Sequence, residues 1–138
     1  MNRIRTLLAL VAITLPFTTL AEDVSEAKRI LCGINDLTLC VESGDCFEIT
    51  PADMNLPQFI VIDRKQQTVS TTRASQNQRS TKVGNMAEVE NRLLLQGIEN
   101  ERAYSFVIEQ DLGLLTAAVA RDGITLSVFG ACTDAEVD

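Results

Sequence analysis

From Leu37 to Gly130 the chain is a succession of short β-type runs broken by turn residues, and nothing else in the sequence restricts its fold as much. The runs are Leu37–Val41, Phe47–Thr50, Gln58–Asp63, Thr68–Thr72, Ser80–Val89, Arg92–Ile98, Arg102–Glu109, Leu114–Arg121 and Ile124–Gly130. Their spacing is that of an all-β domain. Breaks fall at Asp63-Arg64-Lys65-Gln66, Glu99-Asn100-Glu101, Gln110–Gly113 and Asp122-Gly123. The last is the strongest hairpin signal, because an Asp-Gly pair tolerates the positive φ angles of a two-residue turn. The final four runs therefore predict an antiparallel meander. A small, mainly β barrel of about eight strands is expected, since closure removes exposed strand edges, with a two-sheet β-sandwich as the alternative.

Alternation assigns faces within the runs. Tyr104, Phe106 and Ile108 share one side of their strand, and Ile124, Leu126 and Val128 share one side of theirs. Phe59–Ile62 and Leu93–Leu95 are apolar on both faces, which predicts strands covered from both sides. Ahead of the strands, Val24, Ala27, Ile30, Leu31 and Ile34 fall at spacings of three, four and seven. That pattern predicts a short amphipathic N-terminal helix within residues 23–34, packed on the sheet. Thr50-Pro51-Ala52-Asp53 predicts a single helical turn, with a cap residue, a proline at the first position and a carboxylate in the first turn.

Residues 1–21 read as a cleaved secretory signal peptide: Arg3 and Arg5, an apolar run from Leu7 to Ile13, a break at Pro16, then Thr19-Leu20-Ala21 before Glu22. The run is too short for a spanning helix, which needs about 20 apolar residues, so no membrane span is expected after cleavage. What remains, residues 22–138, is expected to be one small domain, exported to the periplasm or secreted, with a short acidic tail at Asp134, Glu136 and Asp138. In an oxidising compartment the four cysteines, Cys32, Cys40, Cys46 and Cys132, predict two disulfides. Three pairings are open. The Ser43-Gly44-Asp45 turn favours Cys40–Cys46, and Cys32–Cys132 would then tie the two ends of the domain together.

Composition excludes more chemistry than it suggests. The chain has no His, which removes His-based triads, HExxH zinc sites and imidazole acid–base pairs. A formal charge of -7 argues against a nucleic-acid partner, since phosphate binding draws on Lys and Arg. No CxxC, GxGxxG or GxxxxGK motif occurs. Ser80 with Lys82, and the acid pairs Glu88/Glu90 and Glu99/Glu101, are ordinary features of solvated strands and turns. No catalytic residue, cofactor or metal site is expected.

Two places remain for binding. The longest stretch without apolar bulk, Thr71–Arg79, carries Arg73 and Arg79 and forms a polar, positively charged loop. Tyr104, the only tyrosine, sits beside Phe106 on an apolar strand face; inside a barrel with a cavity it would be the polar handle. An export signal, an N-terminal helix and a meander ending in a cysteine resemble lipocalin-type and other small periplasmic barrels in outline. The lipocalin GxW motif has no counterpart in a chain without Trp, and no site residue is carried over. The expected function is that of a non-enzymatic binding protein holding an apolar or amphipathic small molecule. The alternative is an acidic interaction module, such as an inhibitor or accessory factor of a basic exported protein. Its basis is charge: without Arg3 and Arg5, ten basic side chains face nineteen acidic ones, a charge of -9.

Overall fold

A computed structural model of the chain describes residues 22–135. The expected signal peptide and the tail beyond Ala135 lie outside them. Ten strands form one antiparallel sheet: β1 (Arg29–Val41), β2 (Cys46–Glu48), β3 (Phe59–Asp63), β4 (Thr68–Thr71), β5 (Ser80–Lys82), β6 (Asn85–Val89), β7 (Arg92–Glu99), β8 (Arg102–Glu109), β9 (Leu114–Arg121) and β10 (Ile124–Asp134). Nine lie in the order β5-β4-β3-β1-β10-β9-β8-β7-β6, and β2 pairs with β1. The described residues form one sheet, curled into a half-barrel, and among them no second sheet packs on it as a sandwich would require. At the Asp122-Gly123 hairpin both residues have positive φ, 33° and 76°, as the turn chemistry demands.

The run Ser80–Val89 divides into two strands, and the division explains the curl. β5 pairs with β4, β6 pairs with β7, and only Val83 and Gly84 lie between them. Val83 N–H donates to the Gln67 carbonyl at 2.9 Å, beside the β3–β4 turn. One short stretch of chain thus serves both ends of the ladder, which holds the sheet in its curled form.

The expected N-terminal helix is absent. Residues 29–41 are instead β1, paired along its length with β10 and on its other edge with β3 and then β2. The helical stripe misled because Ile30, Cys32 and Ile34 also alternate with period two. Cys32, off the helical stripe, is fully buried at 0% exposure, while Leu31, on it, is only partly buried. Pairing with β10 satisfies backbone groups and buries Cys32 beside its register partner Cys132. Ile30 and Ile34 stay buried as strand residues, and Val24 and Ala27 are buried in a turn segment that plugs one end of the half-barrel, with Val24 N–H donating to the Gln110 carbonyl at 2.7 Å.

Three smaller differences follow from the same pairing. Asp134 is not part of a free tail: it ends β10 opposite Ile30, and Ala135 is buried with its N–H on the Arg29 carbonyl. Ile60, Val61 and Ile62 are buried as expected, but Phe59 stays half-exposed, lying over Gly33 on the outer face. Leu94 is likewise only partly covered, because among the described residues no helix packs outside the sheet. The helical turn at Pro51–Met54 is present as a 3-10 turn, with the Asp53 carboxylate accepting from both the Thr50 N–H and hydroxyl.

Both disulfides have the favoured pairing, Cys32–Cys132 and Cys40–Cys46. Cys40 and Cys46 are register partners across β1 and β2, and the connecting turn is closed by Val41 N–H on the Asp45 carbonyl and Gly44 N–H on the Val41 carbonyl. The core lies on the concave face, where Ile30, Ile62, Leu93, Leu95 and Ile108 are almost completely excluded from solvent.

Candidate functional site

Opposite the plugged end, the concave face does not fill. Ile34, Ile60, Val69, Phe106, Leu115 and Val128 enclose an apolar cavity, with Leu56 and Pro57 contributed by the segment before β3. The cavity's volume is about 90 Å³. The composition of the wall follows from alternation: Tyr104 and Phe106 on β8, Leu115, Ala117 and Val119 on β9, and Val128 on β10 occupy inward positions of paired strands. Small Ala117 opposite Phe106 and Val128 leaves the space that a larger side chain would take.

Polar side chains also line the cavity: the hydroxyl residues Ser70, Thr71 and Thr81, the charged Arg79, Glu99 and Arg102, and Tyr104. Glu99 and Arg102 are register partners on either side of the two-residue Asn100-Glu101 turn, whose residues both have positive φ. Arg79 ends the loop after β4. Its N–H donates to Thr71 Oγ1 at 2.9 Å and its carbonyl accepts from the Thr71 N–H at 2.9 Å, so the base of the loop is pinned. The Arg79 guanidinium donates through Nη2 to the Asn55 carbonyl at 2.9 Å, while its Nε is buried and meets no hydrogen-bond partner.

Tyr104 is seated by a glycine. Its register partner is Gly97, and a β-carbon there would lie 2.6 Å from the phenol Cζ, so only glycine lets the ring lie flat across β7. The ring also meets Phe106 at 5.1 Å between centroids, tilted by 41°. The hydroxyl is buried without a hydrogen-bond partner. Burial, and then the negative charge of Glu99, push the phenol above its ordinary value near 10. Tyr104 therefore keeps its proton at neutral pH and presents a hydrogen-bond donor.

That shift is directly measurable, since Tyr104 is the only tyrosine and the chain has no Trp. Tyrosinate absorbance should rise at higher pH in the folded protein than in the denatured chain, and Glu99→Gln should bring the folded curve back toward the denatured one. The linkage has a definite sign: the contribution to stability is intact below about pH 10 and declines above it, where the unfolded chain ionises first. A folded curve coinciding with the denatured one would contradict the burial of the hydroxyl.

Of the residues singled out from sequence, Tyr104, Phe106 and Arg79 line this cavity together. Arg73 does not; it is exposed in the loop, where its carbonyl accepts from Gln78 Nε2 at 3.1 Å. Arg102 escaped the sequence reading, and Glu99, read there only as half of an ordinary acid pair at a turn, lines the cavity. Arg102 carried a signal, since it shares the period-two face of Tyr104 and Phe106. Leu56 and Pro57 carried none, because their place on the wall depends on where the connection before β3 comes to rest.

Among the described residues no helix is long and apolar enough to cross a membrane, and no group of three or more acidic or cysteine side chains is arranged to hold a metal ion. Neither a protein-family model nor a curated protein matches the sequence.

Proposed function

We propose that this protein is an exported, non-enzymatic binding module that holds a small apolar or amphipathic molecule in the concave face of its half-barrel. The supporting observation is the cavity itself: an apolar wall with a few convergent polar groups at one side is the usual form of a small-molecule site. The two disulfides fit an oxidising location. Native mass spectrometry of residues 22–138, purified gently from an oxidising compartment, tests the reading. A bound small-molecule mass is expected, and Ala117→Leu, which fills part of the cavity, should remove it. A clean apo mass that stays clean on addition of apolar and amphipathic probes would count against the proposal.

A second reading, the interaction module, draws support from the outer face. The neighbouring positions Phe59, Gly33, Ala131 and Leu114 form one row across four strands, with Phe59 and Leu114 half-exposed and Phe129 exposed nearby. Association with a basic exported protein through this acidic chain should weaken as ionic strength rises.

A further inference from the structure

The cavity is apolar, yet its polar members are unevenly charged. A chain with 19 acidic and 12 basic side chains places two arginines and one glutamate there. Among the described residues Arg79 and Arg102 join no ion pair, as is also true of the exposed Arg73, whereas Arg29, Arg64, Arg92 and Arg121 each do. Arg79 keeps a buried Nε without a partner, and the Tyr104 hydroxyl beside the same cavity is also buried and unmet. Buried donors left unpaired are costly, and each is satisfied at once by an oxygen acceptor. The two guanidinium groups supply donors only, because an arginine accepts no hydrogen bond, and the protonated Tyr104 hydroxyl adds a further donor. A neutral oxygen would meet them without the charge assistance an anion adds, and a cationic head group would be repelled by the guanidinium groups.

Resting on the proposed binding role, we infer that the ligand is a short amphipathic carboxylate: its head group is held by Arg79, Arg102 and the Tyr104 hydroxyl, and its apolar end enters the cavity. Planar guanidinium and carboxylate groups match in geometry, and such charge-assisted bonds are the stronger class of hydrogen bond. The cavity volume of about 90 Å³ is below the roughly 150 Å³ of an apolar protein cavity that accepts benzene, which favours a short chain with its head group at the cavity's polar side. Glu99, the register partner of Arg102, adds one negative charge to the same wall and so disfavours head groups of higher charge.

The test compares hexanoate with 1-hexanol, which have the same chain length and differ in charge, using the fluorescence of Tyr104 as the reporter. Hexanoate should bind at least about tenfold more tightly than hexanol, as expected when a charge-assisted contact is added. Arg102→Gln should reduce that ratio severalfold by weakening hexanoate far more than hexanol, while Arg102→Lys should retain most of it. Arg79→Gln should act in the same direction; a denaturant melt of each variant checks that the fold persists. Equal binding of the two probes to the wild type would overturn the carboxylate inference and leave the binding role standing. Binding of neither would overturn both.

Discussion

Replacing Cys32 and Cys132 together by alanine should lower the unfolding free energy by about 4–5 kcal/mol. The two cysteines are 100 residues apart in sequence and are register partners across β1 and β10. Closing so long a loop removes conformational freedom from the unfolded chain, and the effect grows with loop length. Both residues are also core residues, at 0% and 5% exposure, so truncation loses packing as well. Cys40–Cys46 spans only 6 residues and lies toward the surface; by the same reasoning it is worth about 2 kcal/mol. Guanidinium unfolding of the two double variants, both free of stray thiols, measures the contrast directly. Equal losses would mean that β1 and β10 stay close in the unfolded ensemble, and that the long bridge constrains little.

The second large effect is expected at Arg64, which follows β3. Its guanidinium ties three separate parts of the chain to the plugged end of the half-barrel: Nη2 donates to the Val24 carbonyl at 2.9 Å and to Gln110 Oε1, and Nη1 donates to the Ser25 carbonyl at 2.9 Å and to Glu88 Oε1 at 2.7 Å. Gln110 is the one buried polar residue among the described residues, at 4% exposure. Arg64→Ala should cost about 3 kcal/mol, because two carbonyls and the Gln110 side chain lose their donors in a site with little access to water. Arg64→Lys should recover only part of this, since an ammonium cannot span the same four acceptors. Glu88→Gln should cost less than about 1 kcal/mol, because the Glu88 side chain is 55% exposed and solvent screens its pair with Arg64. A Glu88→Gln loss as large as that of Arg64→Ala would show that the ion pair, and not the carbonyl ties, holds the plug. Amide exchange should separate the cases further, with faster exchange at Val24 and Ala27 in the arginine variant alone.

Most strands were readable because alternation and turn chemistry act over a few residues. The hairpin at Asp122-Gly123, the β7–β8 and β8–β9 breaks and the 3-10 turn after Thr50 all fall where local preferences put them. The first strand was not readable in the same way. Ile30 and Ile34 fit a helical stripe and an alternating one equally, and the choice between them was made by β10, about a hundred residues away, which offers a hydrogen-bonded edge and a disulfide partner. The site divides along the same line. Tyr104 and Phe106 share a strand face by simple periodicity, so their meeting on one wall was legible. That Arg79 joins them and Arg73 does not depends on the folding of the loop between β4 and β5, where Ser75 and Gln78 bond back to the loop's own backbone.

The sequence by itself determined the secondary-structure class, the turn positions, the excluded chemistries and the favoured cysteine pairing, since each rests on residue type or on neighbours a few positions apart. Only the tertiary structure decided that residues 29–41 extend as a strand, that Val83 and Gly84 carry the chain from one end of the ladder to the other, and that a cavity remains beside Ala117. Those outcomes depend on which surfaces meet after the sheet curls, and packing volume between distant strands is a property that no local pattern carries.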